Sequence, residues 1–490
     1  MKKIIVLIST FAFLLLLAGI ANATVETDFT SGLDLFNKAK YPQARDLFQK
    51  VVTHFEKIKD TSNERYVLAR FYRAGCNEQL GELQLALTDY LFVDKKNIPS
   101  HEVWQNIVSI YIYQKEEQLA IDFLKEKLKD GYRFDYLLQL GKLYWMVEDS
   151  PNALATLESA RVLNPNDDKL LFYLSYLYWE TDELVKAGQT AVQLRKLVKD
   201  PILILFCDGM IYSSLGLYEK AIGSFKNALH GDPKDTTINA LLLDSYVKAA
   251  DFTAADTQVT KTLETDPSSS WNWFKAAEIP MYKLDFNGAE SLYDSLDVKM
   301  KEMPSAVLLQ AFILVHKGKI NEAETSLRRY REHDSMKPVY YPALATIEFV
   351  LGKPNEINRI KSLYAENFKD EFPIDSSLFW LIMFKGKDNV LDDLTKLSEL
   401  LGSTKPKVSG ANALIDFYIH AGDLQTARIR NDELIKQEPS NPEFPLRSAI
   451  LSIRLGEMDK ARDYWMNYKA IPNRDKSWKF MEDEMDKLLK

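Results

Sequence analysis

The strongest constraint on the fold is a set of residue types that returns at a fixed interval. One segment carries Leu140, Gly141, Tyr144, Ala153, Leu157, Ala160 and Pro165. A second segment, 68 residues further on, carries Asp208, Gly209, Tyr212, Ala221, Phe225, Ala228 and Pro233. Half of that interval brings a third copy, in which Leu174, Tyr178 and Ala187 occupy the corresponding places. Self-similarity at a fixed period predicts a chain of stacked structural units.

The central alanine of this pattern can be followed through most of the chain. Its positions are Ala44, Ala86, Ala120, Ala153, Ala187, Ala221, Ala255, Ala289, Ala323, Ile357, Leu391, Ala427 and Ala461. The interval is 34 residues at most steps, with a first step of 42. Apolar residues recur at helical spacing around each position, whereas glycines such as Gly216 and Gly422 fall between the helical stretches. The pattern predicts an all-α chain of about thirteen two-helix units.

This 34-residue pattern resembles the tetratricopeptide repeat, a helix–turn–helix unit. The resemblance covers about residues 25–475. Small residues at repeat positions 8 and 20 allow the two helices to cross closely, and proline at position 32 ends the second helix. Ile357 and Leu391 stand where a small residue is expected, so those two units are expected to be degenerate and their register is left open. The resemblance implies a right-handed α-solenoid that shares one continuous core.

The first residues have the features of a secretory signal peptide. Lys2 and Lys3 precede an apolar run over residues 4–20, and Ala21-Asn22-Ala23 supplies small residues for cleavage. We therefore expect residues 1–23 to be a signal peptide and the mature chain to be exported, into the periplasm if the source is Gram-negative. The alternative is a retained membrane anchor, since the run is nearly long enough to span a bilayer. No later segment is apolar enough to cross a membrane.

The rest of the chain divides by repeat pattern. Residues 24–401 are predicted to form a solenoid of about eleven repeats, and residues 408–472 two more. The Gly, Ser and Pro residues at 402–407 predict a flexible linker, with an ordinary turn between repeats as the alternative. Residues 473–490 are predicted to form an amphipathic capping helix that covers the last repeat with Trp478, Met481, Met485 and Leu488.

Composition and motifs exclude several functions. Hydrophobic residues make up 46% and charged residues 27%, which is typical of a folded chain, and the net charge of −8 without a basic stripe argues against nucleic acid as a ligand. No two of the six histidines have zinc-helix spacing, and no nucleophile elbow or phosphate-binding loop occurs. Cys76 and Cys207 fall four repeats apart and are interpreted as packing residues. We expect no enzyme activity, no cofactor and no metal.

A partner-binding groove is the feature that the resemblance implies instead. In this family, positions 2, 5, 9 and 12 of each first helix face a concave groove. The apolar residues that map to these positions are Leu138, Trp145, Phe172, Tyr176, Trp179, Leu203, Phe206 and Met210. Large exposed aromatic patches mark interaction sites. The alternative is that these side chains belong to the packed core, either through a register error or because tight superhelical packing closes the groove.

Three functions fit these features. The leading hypothesis is an exported scaffold that binds a protein or peptide partner and assembles an envelope or secretion complex. A second is an accessory protein of polysaccharide export whose groove aromatics stack on sugar rings. A third is a holdase for exported polypeptides. The lysine and asparagine clamp that some relatives use for carboxylate tails is absent, because Leu138, Lys142, Phe172 and Tyr176 occupy those positions.

Overall fold

Each of the thirteen predicted units is a pair of packed α-helices joined by a short turn. The computed structural model describes residues 24–96, 103–131, 133–147, 149–267, 270–296, 298, 300–302, 304–333, 340–369, 371–472, 474 and 478–490. These residues contain no β-strand, so the all-α prediction is confirmed for the described part of the chain. The predicted signal peptide at residues 1–23 lies outside the described residues. Among the described helices, none combines the length and the apolar character that crossing a bilayer requires.

The described residues form two compact units, with the boundary between residues 164 and 165. We call them the N-terminal unit and the C-terminal unit. The helices of the N-terminal unit are α1 (24–37), α2 (Tyr41–Lys57), α3 (Glu64–Gln79), α4 (Leu83–Asp94), α5 (Val103–Tyr113), α6 (Glu117–Lys129), α7 (Phe134–Met146) and α8 (Ser150–Leu163).

The C-terminal unit continues the same alternation of first and second helices. Its first five pairs are α9 (Asp168–Glu180), α10 (Leu184–Leu197), α11 (Pro201–Ser214), α12 (Tyr218–Ala228), α13 (Thr236–Ala249), α14 (Phe252–Thr265), α15 (Ser270–Tyr282), α16 (Phe286–Ser295), α17 (Pro304–His316) and α18 (Ile320–His333). A 3₁₀ turn, Met300–Glu302, precedes α17. The remaining helices are α19 (Tyr340–Val350), α20 (Pro354–Phe368), α21 (Ile374–Lys385), α22 (Leu391–Leu401), α23 (Pro406–His420), α24 (Leu424–Gln437), α25 (Glu443–Arg454), α26 (Met458–Ala470) and α27 (Lys479–Leu488).

The small residues of the repeat allow the close helix crossings that the sequence predicts. A methyl group built on Gly141 would stand 2.5 Å from Cδ2 of Leu157, and one built on Gly209 would stand 2.6 Å from Cδ1 of Phe225. The central alanines of the ladder, from Ala44 to Ala461, are fully buried. Large side chains at these positions would therefore force the two helices of a pair apart.

The turn within each pair bends at repeat position 15. Six glycines stand at this position, and Gly216 and Gly422 are typical, with φ of 71° and 81°. Only glycine adopts this left-handed conformation without strain. Asp182 and Ala250 adopt it at the same position of their own units. The packing of the helix pair thus sets the turn conformation, because non-glycine residues also adopt it. Where glycine is present, the conformation carries no strain.

The structure corrects the register of the degenerate unit near residue 391. Leu391 is the first residue of α22 and is 41% exposed, whereas Leu394 is fully buried. The Cβ of Leu394 is the nearest neighbour of a methyl group built on Gly410, at 3.2 Å. Leu394 therefore occupies the central position that the 34-residue interval assigned to Leu391.

The predicted linker at residues 402–407 is a short turn in the structure. Pro406 and Lys407 already belong to α23, and the Ser403 and Ser409 hydroxyl groups share a hydrogen bond of 2.8 Å. The Lys405 ammonium group lies 2.6 Å from the Glu438 carboxylate. The boundary between the compact units falls instead at residues 164–165. The ordinary turn between repeats describes this segment better than a flexible joint does.

Both cysteines are buried, unpaired thiols. Burial raises the pKa of Cys76 to about 11 and that of Cys207 to about 12. A thiol with so high a pKa is almost entirely protonated at neutral pH and is a poor nucleophile.

Candidate functional site

Two of the eight predicted groove residues, Leu138 and Trp145, lie on α7 in the N-terminal unit. Both are partly exposed. The matching positions on the earlier first helices hold Leu68 and Phe71 on α3 and Ile112 on α5, and these side chains are also partly exposed. In this unit the first-helix face therefore presents apolar surface that solvent reaches.

The other six predicted groove residues lie on α9 and α11 in the C-terminal unit. Phe206 and Met210 are fully buried, and Tyr176 and Trp179 are 6% and 4% exposed. The ring centroids of Phe172 and Phe206 lie 4.7 Å apart, which joins the two helices directly. Tyr176 and Trp179 pack on each other with centroids 5.3 Å apart. Tyr176, Trp179, Phe206 and Met210 therefore pack against their own chain instead of lining an open groove, whereas Phe172 and Leu203 are partly exposed.

Trp179 also leads to a buried cluster of charges that the sequence analysis did not identify. Its indole N–H donates a hydrogen bond of 3.1 Å to Oδ2 of Asp244 on α13. The same carboxylate accepts ion pairs from Lys248 at 3.1 Å and from Lys275 at 2.8 Å. Lys275 pairs in turn with Glu278 at 2.8 Å. We call Asp244, Lys248, Lys275 and Glu278 the inner charge cluster.

The electrostatics of this cluster favour the charged forms. Burial alone would raise the pKa of Asp244, but Lys248 and Lys275 outweigh it and lower the pKa to about 2. Burial would likewise lower the pKa of Lys275, yet Asp244 and Glu278 raise it above its ordinary value. In this cluster the neighbouring opposite charges thus keep the Asp244 and Lys275 side chains in their charged forms despite burial.

The inner charge cluster continues into an aromatic group that links distant repeats. Tyr282 on α15 donates a hydrogen bond of 3.1 Å to Glu278. Its ring stacks on the His420 imidazole of α23, with centroids 5.0 Å apart, and meets the Phe379 ring of α21 at 5.6 Å. The first helix α15 thus contacts the first helices α21 and α23, which lie three and four repeats later in the chain.

A second contact joins the early and late repeats of the C-terminal unit through Arg454 on α25. The guanidinium Nε donates to the Glu219 carboxylate at 3.1 Å, and Nη2 donates to the Lys248 backbone carbonyl at 3.4 Å. The same group lies over the Tyr218 ring, 5.1 Å from its centroid. The inner face of this unit is therefore closed by its own C-terminal helix pairs.

The repeat spacing in the sequence could have predicted part of this cluster. Asp244 and Glu278 occupy repeat position 9, one and two intervals of 34 residues after Met210. Extending the groove positions past Met210 would have reached both carboxylates. The pairing of Arg454 with Glu219 has no such signal, because it joins residues 235 positions apart that share no repeat position.

The described residues offer no arrangement of three or more His, Cys, Asp or Glu side chains suited to a metal ion. Through its ion pairs, the inner charge cluster holds α13 and α15 together.

Comparison with known proteins agrees with the repeat architecture. Residues 29–91 match the family model of the tetratricopeptide repeat. Together with the thirteen helix pairs, this match identifies a class of α-helical repeat proteins. The chain is thus similar to tetratricopeptide-repeat proteins, with the family match at residues 29–91.

The individual relatives are distant. The Superkiller complex protein 3 of Mus musculus is 24% identical over 227 residues, which cover 38% of this chain and 14% of that protein. The Homo sapiens protein of the same name is 24% identical over 39% of this chain and 15% of its own length. The chain thus spans about one seventh of these curated relatives. A crystal structure of a tetratricopeptide repeat protein from Parabacteroides merdae is 13% identical, with a TM-score of 0.30 over 59% of this chain and 97% of that one.

Proposed function

We propose that this chain is an exported scaffold that holds a protein partner on the first-helix face of its N-terminal unit and so helps to assemble an envelope or secretion complex. The contrast in exposure between the two units carries the proposal. In the C-terminal unit the side chains of Phe206 and Trp179 are 0% and 4% exposed. In the N-terminal unit Leu138, at the repeat position of Phe206, and Trp145, at the repeat position of Trp179, are partly exposed.

The chemistry of this face defines the kind of partner that it fits. Leu68, Phe71, Ile112, Leu138 and Trp145 are apolar, so an apolar helix or extended segment of another protein would bury them favourably. Tryptophan is enriched among the residues that dominate binding energy. We therefore expect Trp145→Ala to weaken binding by about 2 kcal/mol or more, or roughly thirtyfold.

Photocrosslinking in living cells tests the partner site. A photoreactive residue replaces Leu138 in one variant and Lys125 in a control, because Lys125 is exposed on the second helix α6 of the preceding pair. One dominant protein adduct from position 138, absent from position 125 and lost when Trp145→Ala is added, would support the scaffold. Adducts that are equal at both positions would contradict it, and many unrelated adducts specific to position 138 would favour a holdase.

Export is tested separately. The chain is expressed with its first 23 residues intact, and the mass of the product is measured. A mature product that begins at Thr24, together with uncleaved chain when Ala21 and Ala23 are changed to bulky residues, is the expected outcome. A product that keeps Lys2 and Lys3 would show that residues 1–23 are not removed. These residues would then anchor the scaffold in the membrane.

A further inference from the structure

The helix α27 has two buried faces, and only one of them covers the last repeat. On one face, Asp486 accepts hydrogen bonds from the Trp465 indole at 2.8 Å and from Lys469 at 3.0 Å, both on α26. Glu482, four residues earlier on the same face, accepts a bond of 3.1 Å from the Tyr468 hydroxyl. Met485 is fully buried. These contacts attach α27 to the last helix pair, as a capping helix requires.

The opposite face of α27 contacts α10, in the first helix pair of the C-terminal unit. Phe480 and Glu484 share this face, since residues four apart on a helix lie one above the other. Glu484 forms an ion pair of 3.0 Å with Arg195, a residue 289 positions earlier. The Phe480 ring lies directly over Gly188. A helix that only capped the last repeat would leave this face in water.

Gly188 provides the space that Phe480 occupies. A methyl group at residue 188 would stand 2.5 Å from Cε2 of Phe480 and 2.8 Å from Cβ of Ser214. Both separations are shorter than folded proteins allow between carbon atoms, so any larger residue would push the ring out. Glycine at residue 188 therefore makes room for Phe480. The crossing of α9 and α10 within the pair does not require it.

Both faces of α27 carry a partly exposed ion pair. The Arg195 and Glu484 side chains on the α10 side are 28% and 12% exposed, and the Lys469 and Asp486 side chains on the α26 side are 37% and 38% exposed. The α26 side adds hydrogen bonds from Trp465 and Tyr468 to carboxylates, and the α10 side adds the Phe480 ring over Gly188. The helix α27 therefore joins the first helix pair of the unit to the last one by contacts on both of its faces.

We propose that α27 is a latch: its Phe480 and Glu484 hold the first helix pair of the C-terminal unit against the last one, and the contact opens at α10, because the chain connection keeps α27 beside α26. Opening frees the surface around Gly188, while the contacts of Arg454 with Glu219 and of Tyr282 with His420 still join early and late repeats. The latch is thus a conformational device of the C-terminal unit. It does not depend on the proposed partner site in the N-terminal unit.

Hydrogen–deuterium exchange of the whole chain, followed by mass spectrometry, tests the latch. The variants are Gly188→Ala, Phe480→Ala and the two together, and Asp483→Ala is the control. Asp483 lies on the same helix but is 54% exposed and pairs only with Lys479 of α27 itself. Both single variants are expected to speed exchange in residues 184–197 by about tenfold or more, because a local opening becomes more frequent.

The pattern across the chain separates a latch from general destabilisation. Residues 458–470 and residues 374–401 should exchange at the rate of the control variant. The double variant should exchange no faster than the Gly188→Ala variant alone, because the added methyl group already displaces the Phe480 ring. Glu484→Gln, a milder change, should give the same pattern with a smaller effect.

Two results would overturn the proposal. If residues 184–197 exchange in the Phe480→Ala and Glu484→Gln variants as slowly as in the control, the contact does not hold the first pair. If exchange rises equally in residues 184–197, 458–470 and 374–401, α27 supports the whole fold and is no latch.

Discussion

The indole N–H of Trp179 donates to the carboxylate of Asp244 across 3.1 Å, and the two residues lie 65 positions apart on first helices two repeats from each other. Trp179 was expected to line an open groove. Its hydrogen bond instead ties α9 to α13 through the one carboxylate that Lys248 and Lys275 also contact. Trp179, a predicted binding residue, is therefore part of the interior of the C-terminal unit.

Removing the charge of Asp244 should destabilise this unit strongly. Asp244→Asn leaves two buried lysines without their shared carboxylate, so we expect the free energy of unfolding to fall by about 3–5 kcal/mol. Trp179→Phe removes only one hydrogen bond to a charged group and should cost about 1–3 kcal/mol. Urea denaturation measures both. Asp256→Asn, at an exposed position on α14 of the same repeat, should change the value by less than about 0.5 kcal/mol.

Two glycines of one repeat should respond in opposite directions to the same substitution. A methyl group at Gly209 meets the Phe225 ring, whereas one at Gly223 has no heavy atom within 4 Å. We expect Gly209→Ala to destabilise the chain by about 1–3 kcal/mol through overpacking. Gly223→Ala should stabilise it by about 1 kcal/mol, because alanine favours the helical backbone. Thermal unfolding of the two variants would contradict this account of the helix crossing if both shifts had the same sign.

The two registers near residue 391 predict opposite stability effects for substitutions at Leu391 and Leu394. Leu394 is fully buried and Leu391 is 41% exposed. Leu394→Ala should therefore lower the free energy of unfolding by about 2–5 kcal/mol, as expected for a buried leucine. Leu391→Ala should change it by less than about 0.5 kcal/mol. Chemical denaturation of the two single variants decides between the registers, since the ladder at 34-residue intervals predicts the larger loss at Leu391.

Two partly buried histidines should make the fold less stable in mild acid. Burial lowers the pKa of His316 below 6.5, although its hydrogen bond to the Met383 carbonyl acts in the other direction. Burial also lowers the pKa of His420, which faces Tyr282, the Asp416 backbone carbonyl, Glu278 and Lys248. An imidazole whose folded pKa is lowered favours the fold above the unfolded pKa of 6.5.

That contribution is lost as the pH falls through 6.5 toward the folded pKa. The free energy of unfolding, measured by urea titration at several values between about pH 8 and pH 5, should therefore decrease toward acid. His316→Gln keeps an N–H donor for the Met383 carbonyl but does not titrate. The decrease should be smaller in that variant, and an unchanged decrease would mean that His316 does not contribute.

The sequence predicts the helix pairs well because their contacts are local. The alanine ladder, the glycines at position 15 and the close crossings at Gly141 and Gly209 all depend on residues within one 34-residue unit. The register fails at Leu391 for a local reason as well. The turn between α21 and α22 covers residues 386–390, five residues, whereas the turn between α9 and α10 covers three, residues 181–183.

The candidate site is predicted less completely because its environment depends on distant repeats. Repeat positions predict that Phe206, Met210 and Trp179 line a groove, and in the structure all three are buried. Whether that groove is open depends on the small rotation between successive repeats, which accumulates over the C-terminal unit and leaves no periodic pattern in the sequence. Arg454 and Phe480 close the unit from more than 200 positions away. No spacing rule connects them to Glu219 or Gly188.

The long interval between Arg195 and Glu484 also sets an order for biosynthesis. Each helix pair can form soon after it leaves the ribosome or the export channel, because its partners are neighbours in the chain. The surface around Gly188 stays bare until residues 479–488 have arrived. A chain whose synthesis stops before Phe480 would therefore form its helix pairs, but its helix α10 would lack both the Phe480 ring over Gly188 and the Glu484 partner of Arg195.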